Sequence, residues 1–280
     1  MIDRGQPKFE TKPPTTPVSS QPSGLRGYWY ITVALSLMAI VAIWFDRTLA
    51  NPDSLDDLPG DLKRFFSLSE IFAHGFGIAV VMLGIWLLSK EHRRFIPRIF
   101  LCAVWPPMAV HLVKILVGRK RPIAFFDEEK IAHFPVNMSE TWLGFFPRDQ
   151  FNLVYHLQSF PSGHTATAWG LAIGMACVFP KGRWLFFVIA MLASVQRVTS
   201  FAHWPSDVFA GAAIAFMMAG ALTQNWGFGF YLGKFENRGS LLLANGNHID
   251  WKKLNDPESG TPSSAISSSD IEPDVWQSAA

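Results

Sequence analysis

Apolar residues in this chain come in long runs, and polar residues gather between them. Tyr28 to Phe45 contains no charge, and neither does Ile71 to Leu88. Ile99 to Gly118, Gly163 to Phe179, Trp184 to about Ala202 and Asp207 to about Asn225 complete the series. Each run is close to the ~20 residues that a helix needs to cross ~30 Å of hydrocarbon. The pattern predicts an all-α, polytopic membrane protein built as a bundle of six transmembrane helices. Gly170 and Gly174, four apart in the fourth run, predict close helix packing. Pro106-Pro107 in the third run predicts a bend or break. His74, inside the second run, reads as a packed or hydrogen-bonded residue rather than a ligand.

The polar segments divide the chain. Residues 1–26 are rich in Pro, Ser, Thr and Gly, and read as a disordered tail without the basic start of a cleaved signal peptide. Residues 27–235 form the membrane domain, and 236–280 read as a mostly disordered tail. Residues 119–161 are the longest connection. Phe125-Phe126, Trp142, Phe145-Phe146 and Phe151 make it too aromatic for a linker. Short helices on the membrane surface beside a binding site are expected there. Trp226 to Phe235, aromatic residues alternating with Gly, is expected to ride the interface.

Composition sharpens this picture only through its distribution. The chain's +2 net charge and 49% hydrophobic residues would suit a soluble protein, but the runs do not. Near-neutral charge gives no basis for a nucleic-acid partner. The two cysteines, Cys102 and Cys177, each lie in an apolar run, where neither a structural disulfide nor a metal cluster is expected. An even number of spans places both termini on one side. The basic loops at 90–98 and 181–183 fall on that side, which is therefore expected to be cytoplasmic. The opposite, outer face then receives the ends of four runs.

Those ends carry the candidate chemistry. Lys114 precedes Arg121-Pro122; Pro161-Ser162-Gly163-His164 opens the fourth run; Arg197, His203 and Asp207 join the fifth to the sixth. Hydrolysis of a phosphate ester needs preorganised positive charge at the nonbridging oxygens, which Lys114, Arg121 and Arg197 can supply. Ser162 stands where a helix N-cap belongs, and Gly163 allows a ligand close to the free N–H groups of the helix start. His203 and Asp207 are four apart, so a helical turn would put the carboxylate on one ring nitrogen and leave the other free to attack phosphorus. His164 is left to protonate the leaving oxygen. Taken singly, each feature has an ordinary reading as a cap, an interfacial anchor or a structural pair. Their convergence on one face favours chemistry.

The three elements resemble the three-part signature of the type 2 phosphatidic acid phosphatases, membrane lipid phosphate phosphatases related to vanadium haloperoxidases. The resemblance covers roughly residues 70–225. It implies a six-helix membrane enzyme that needs no metal or other cofactor and whose site faces outward. It implies phosphate binding by Lys114, Arg121, Ser162, Gly163 and Arg197. His203 is implied as the nucleophile that forms a phosphohistidine, Asp207 as its orienting partner and His164 as the acid. The implied partner is a lipid mono- or diphosphate of the phosphatidic acid, phosphatidylglycerol phosphate, undecaprenyl diphosphate or lipid A type, with no obligate protein partner. Gln196 departs from the pattern, which usually has Ser directly before the third-motif Arg. An anionic-lipid transporter and an inactive lipid-binding relative are the alternatives. Neither needs the paired histidines and Asp207. A bacterial inner (cytoplasmic) membrane is the expected location.

Overall fold

The computed structural model describes residues 25–51, 59–126, 141–145, 155–224, 227–236, 241–242 and 248–249. Helices dominate. α1 spans Leu25–Leu49, α2 Gly60–Ser69, α3 Gly75–Leu88, α4 Ile96–Leu116 and α5 Pro122–Phe126. α6 runs over Gly163–Val178, α7 over Arg183–Thr199, α8 over Pro205–Leu222 and α9 over Gly227–Glu236. Each predicted apolar run therefore coincides with one helix, except that Ile71–Leu88 begins in a 3-10 turn before α3.

Length separates them. Among the described residues, Gly27–Leu49, Lys90–Leu116 and Pro205–Leu222 are long and apolar enough to cross a membrane. Gly60–Ala73 and Gly75–Leu88 pass the same test as a pair bent by 68°. The 16 residues of α6 rise only about 24 Å, short of the ~30 Å hydrocarbon core. The chain is a multi-pass membrane protein with, among the described residues, three or four helices of spanning length, and α6 and α7 are shorter elements of the bundle.

α6 is the central helix. It is apolar on all sides, and Ala168, Leu171, Ala172 and Ile173 are fully or almost fully buried. It packs on α4, α7 and α8, while α1 lies along α8. The expected close approach is met at Gly170, where an added Cβ would lie 2.1 Å from the Cys102 carbonyl oxygen of α4. Only glycine lets the two backbones come this near. Cys102 and Cys177 are both free thiols.

The structure refines four expectations. α4 continues through Pro106 and Pro107 without a break. His74 is not within a helix: it is the extended N-cap of α3, at the bend after the 3-10 turn Glu70–Ala73. Arg98 is not a free loop charge. It lies in α4, buried, and donates from Nε to Glu236 Oε1 at 2.6 Å and from Nη1 to the Leu222 carbonyl at 2.6 Å. That ion pair docks α9 on the end of the bundle. The fold is also not purely helical. β1 (Val117–Arg119) pairs antiparallel with β2 (Trp142–Phe145), and Leu241–Leu242 (β3) pairs with His248–Ile249 (β4). The described parts of the long connection are thus a short ribbon, the five-residue α5 and the 3-10 turn Tyr155–Leu157, rather than surface helices alone. Phe146 and Phe151, the first 24 residues and most of the C-terminal tail lie outside the described residues.

Candidate active site

The three sequence elements meet at one end of the bundle. Lys114, in the last turn of α4, donates from Nζ to the Gln158 carbonyl at 2.6 Å, and Arg121 Nη2 reaches the same oxygen at 3.4 Å. Arg121 also donates from Nη1 to the Ala202 carbonyl at 2.8 Å, and its Nη1 lies 3.3 Å from His203 Nε2. Its guanidinium stacks 3.8 Å over the Tyr155 ring. Burial and neighbouring cations hold Arg121 below the usual guanidinium pKa. A side chain so placed retains a strong drive to meet an anion.

The second element is built as a helix start. Ser162 is the N-cap of α6, and its Oγ accepts from Thr165 Oγ1 at 3.0 Å and from Thr165 N at 3.4 Å. Its own N–H donates to the Asp207 carbonyl at 3.0 Å, tying the second element to the third. α8 can come this close because residue 211 is glycine; a Cβ there would sit 2.3 Å from the Ser162 carbonyl oxygen. A Cβ on Gly163 would touch only Val110 Cγ1, at 3.8 Å. Packing therefore does not require glycine at 163, and the space beside it is open.

The third element closes the group. His203 N–H donates to the Arg197 carbonyl at 3.0 Å. His203 and Asp207 do face each other, but not through a helical turn as expected. His203 precedes α8, on a turn where Phe201 takes a left-handed backbone (φ 55), a conformation that costs energy for a bulky residue. His203 Nδ1 is 3.6 Å from Asp207 Oδ2, too long for a hydrogen bond. That buried nitrogen has no hydrogen-bond partner among the described residues. Burial pushes the imidazole pKa down to about 3, against the pull of Asp207. The ring is therefore neutral at ordinary pH, with Nε2 turned to Arg121.

Residues 96–229 match the model of the PAP2 superfamily. These residues belong to the PAP2 superfamily. The chain is similar to the lipid A 1-phosphatase of Rhizobium etli, at 32% identity over 115 residues, 41% of this chain and 43% of the relative. It is also similar to the lipid A 4'-phosphatase of Bacteroides thetaiotaomicron, at 45% identity over 58 residues, 20% of this chain and 25% of that protein. The match thus spans less than half the length of these curated relatives. A crystal structure of Aquifex aeolicus LpxE aligns with 66% of this chain and 94% of its own, at 20% identity and a TM-score of 0.43, too loose to argue from.

Around the PAP2 signature lies a supporting layer that the sequence reading missed. Asp207 is saturated by others: Oδ1 accepts from Arg119 Nη1, and Oδ2 accepts from Ser159 Oγ at 2.5 Å and from Trp204 N at 2.9 Å. Arg119 is 1% exposed, lies 4.2 Å over the Trp142 ring, and pairs at 2.5 Å with Asp46 of α1. Asp46 in turn accepts from Ser206 N at 2.9 Å and Ser206 Oγ at 2.5 Å. On the other flank Glu70 pairs with Arg197 at 2.5 Å, and His164 meets the His74 ring edge-on at 4.7 Å. Asp46 had the signal of a charge ending an apolar run. Glu70 had the signal of lying four residues from His74, the mirror of His203 and Asp207.

Glu70, His74 and His164 are also a possible metal-ligand group, with ligand atoms within 4.8 Å of one another. Both oxygens of Glu70 are engaged, by Arg197 and His74 at Oε1 and by Gln196 at Oε2. A divalent ion would have to settle beside the Arg197 guanidinium, so the donor set fits an ion-paired network better than a metal centre.

Proposed function

We propose that this protein is an integral membrane phosphatase that hydrolyses a lipid phosphate. The observation that carries the reading is the short Arg121–His203 approach, with the neutral Nε2 of His203 3.3 Å from a phosphate-seeking guanidinium. The lipid A phosphatases among the relatives favour a substrate of the lipid A type. An apolar groove between α3 and α4, lined by Gly75, Ile78, Met82, Trp86, Phe100 and others, starts next to His74 and suits an acyl chain.

Lys114, Arg121, Arg197, Ser162 and the N–H groups at Gly163 hold the nonbridging oxygens. Nε2 of His203 attacks phosphorus as the bond to the lipid oxygen breaks. His164 gives that oxygen its proton. A phosphohistidine results. Water then attacks it, His164 takes the proton back, and inorganic phosphate leaves with the His203 lone pair restored. Asp207, fixed by Arg119, Ser159 and Trp204 N, stabilises the cation that forms on His203. No step draws on a metal, and the reading puts both termini in the cytoplasm and the site on the outer face.

The test is phosphate release by detergent-solubilised protein from a panel of lipid mono- and diphosphates, with a chelator present, alongside His203→Ala. Release from one or two lipids, lost in the variant, is the expected result. Retained release in the variant would sink the mechanism. Release that needs added metal would sink the metal-free scheme.

A further inference from the structure

Glu70 and His74 lie outside the matched segment, on the bend between α2 and α3, yet they reach its phosphate-binding arginine. Glu70 Oε1 accepts from Arg197 Nη2 at 2.5 Å and lies 3.1 Å from His74 Nε2. Glu70 Oε2 accepts from Gln196 Nε2 at 2.8 Å. Gln196 Oε1 closes the ring by accepting from Arg197 Nε at 2.5 Å. Two of the nitrogens through which a guanidinium grips phosphate are therefore already held, one of them by an anion. Gln196 supplies the second of these contacts, since a side chain as short as Ser would not reach both Glu70 and the guanidinium, whereas the Glu70–Arg197 pair is direct.

The charge of the site makes Glu70 distinctive. Asp207 is neutralised by Arg119, and Arg119 is shared with Asp46. Lys114 and Arg121 meet carbonyl oxygens in the described residues. Glu70 is the carboxylate paired directly with a cation of the cradle. It is also the more exposed partner, with its side chain 29% accessible against 6% for Arg197, so it has room to move.

On the phosphatase reading above, we infer that Glu70 is the site's resident anion. It is a positioning residue that holds Arg197 in the empty enzyme, yields the guanidinium to the substrate phosphate, and returns to expel inorganic phosphate. Gln196 and His74 keep the displaced carboxylate close, since two of its three partners do not depend on Arg197. A cradle of three cations without this counter-anion would bind substrate and product phosphate alike, and tight product binding slows turnover.

Glu70→Gln tests this, because glutamine keeps an oxygen for Arg197 and loses only the charge. Inorganic phosphate is titrated into the solubilised full chain and followed by calorimetry, and steady-state KM and kcat are measured with lipid substrate. Glu70→Gln is expected to bind phosphate about tenfold tighter, with KM and kcat falling together. Unchanged or weaker phosphate binding would overturn the inference and leave Glu70 a simple tie for Arg197. Glu70→Asp, whose carboxylate is one methylene short of Arg197, is expected to shift phosphate affinity the same way by a few-fold, and serves if Glu70→Gln does not fold. The phosphate titration needs no turnover. Failure to release phosphate from any lipid would therefore count against the phosphatase reading, while the titration still decides the role of Glu70.

Discussion

Among the described residues, two arginine–carboxylate–histidine units share a plan and differ in character. In one, Asp207 joins Arg119 to His203; in the other, Glu70 joins Arg197 to His74. Each carboxylate is four residues from its histidine. The Asp207 unit is sealed: Arg119, His203 and Asp207 are 1%, 1% and 0% exposed. That aspartate accepts three hydrogen bonds, from Arg119, Ser159 and Trp204 N, and it is backed by Asp46 from α1. The Glu70 unit is open, with the His74 side chain 48% exposed. Burial decides what such a unit can do. A sealed carboxylate keeps its partners through the reaction cycle and serves as a fixed electrostatic reference. An open one can trade its arginine for an incoming anion at small cost.

The largest contrast is expected between the two histidines. His203→Ala should lower phosphate release by at least about 1,000-fold, whereas His74→Ala should lower it by less than about tenfold; parallel turnover assays read both. Comparable losses would mean that the open unit takes part in the chemistry. Next is stability. Arg119→Met leaves Asp46 and Asp207 buried without their shared cation, at a cost of about 3–5 kcal/mol. The same change at exposed Arg64, paired with Asp61 on α2, should cost little. Thermal unfolding in detergent compares them.

A pH series sharpens the comparison further. The unfolded state takes up a proton on His203 as pH falls below 6.5, while the buried ring resists protonation down to about 3. Stability should therefore fall as pH drops through that window and recover above it. His203→Gln should flatten this slope, and an unchanged slope would show that the ring is not sealed. The smallest effect is expected from Gln196→Ser, which restores the usual family residue: phosphate affinity should change by less than about fivefold, read by the same calorimetric titration. A larger change would mean that Gln196, rather than Glu70, holds Arg197.

The positions of the helices were legible because six apolar runs are a one-dimensional property. The eight candidate site residues were singled out because their type and spacing suffice to propose a phosphate cradle, and the structure gathers them at one end of the bundle. Which runs reach spanning length was not legible, since α6 ends at Val178 and α7 starts at Arg183, and so few residues at each end decide the matter. Nor was the continuity of α4 through two prolines, which depends on packing against α6 and α8 rather than on local propensity alone.

By itself, then, the sequence determined the helical membrane architecture, the close packing at Gly170, the N-cap at Ser162 and the inventory of residues proposed to bind phosphate, because each rests on local pattern and residue chemistry. Tertiary structure alone decided which charges neutralise which. Asp46 lies 161 positions before Asp207, and Glu70 lies 127 before Arg197. No spacing rule links such distant positions. Only the packing of α1 along α8, and of the bend before α3 against α7, turns two isolated acids into the inner and outer partners of the site.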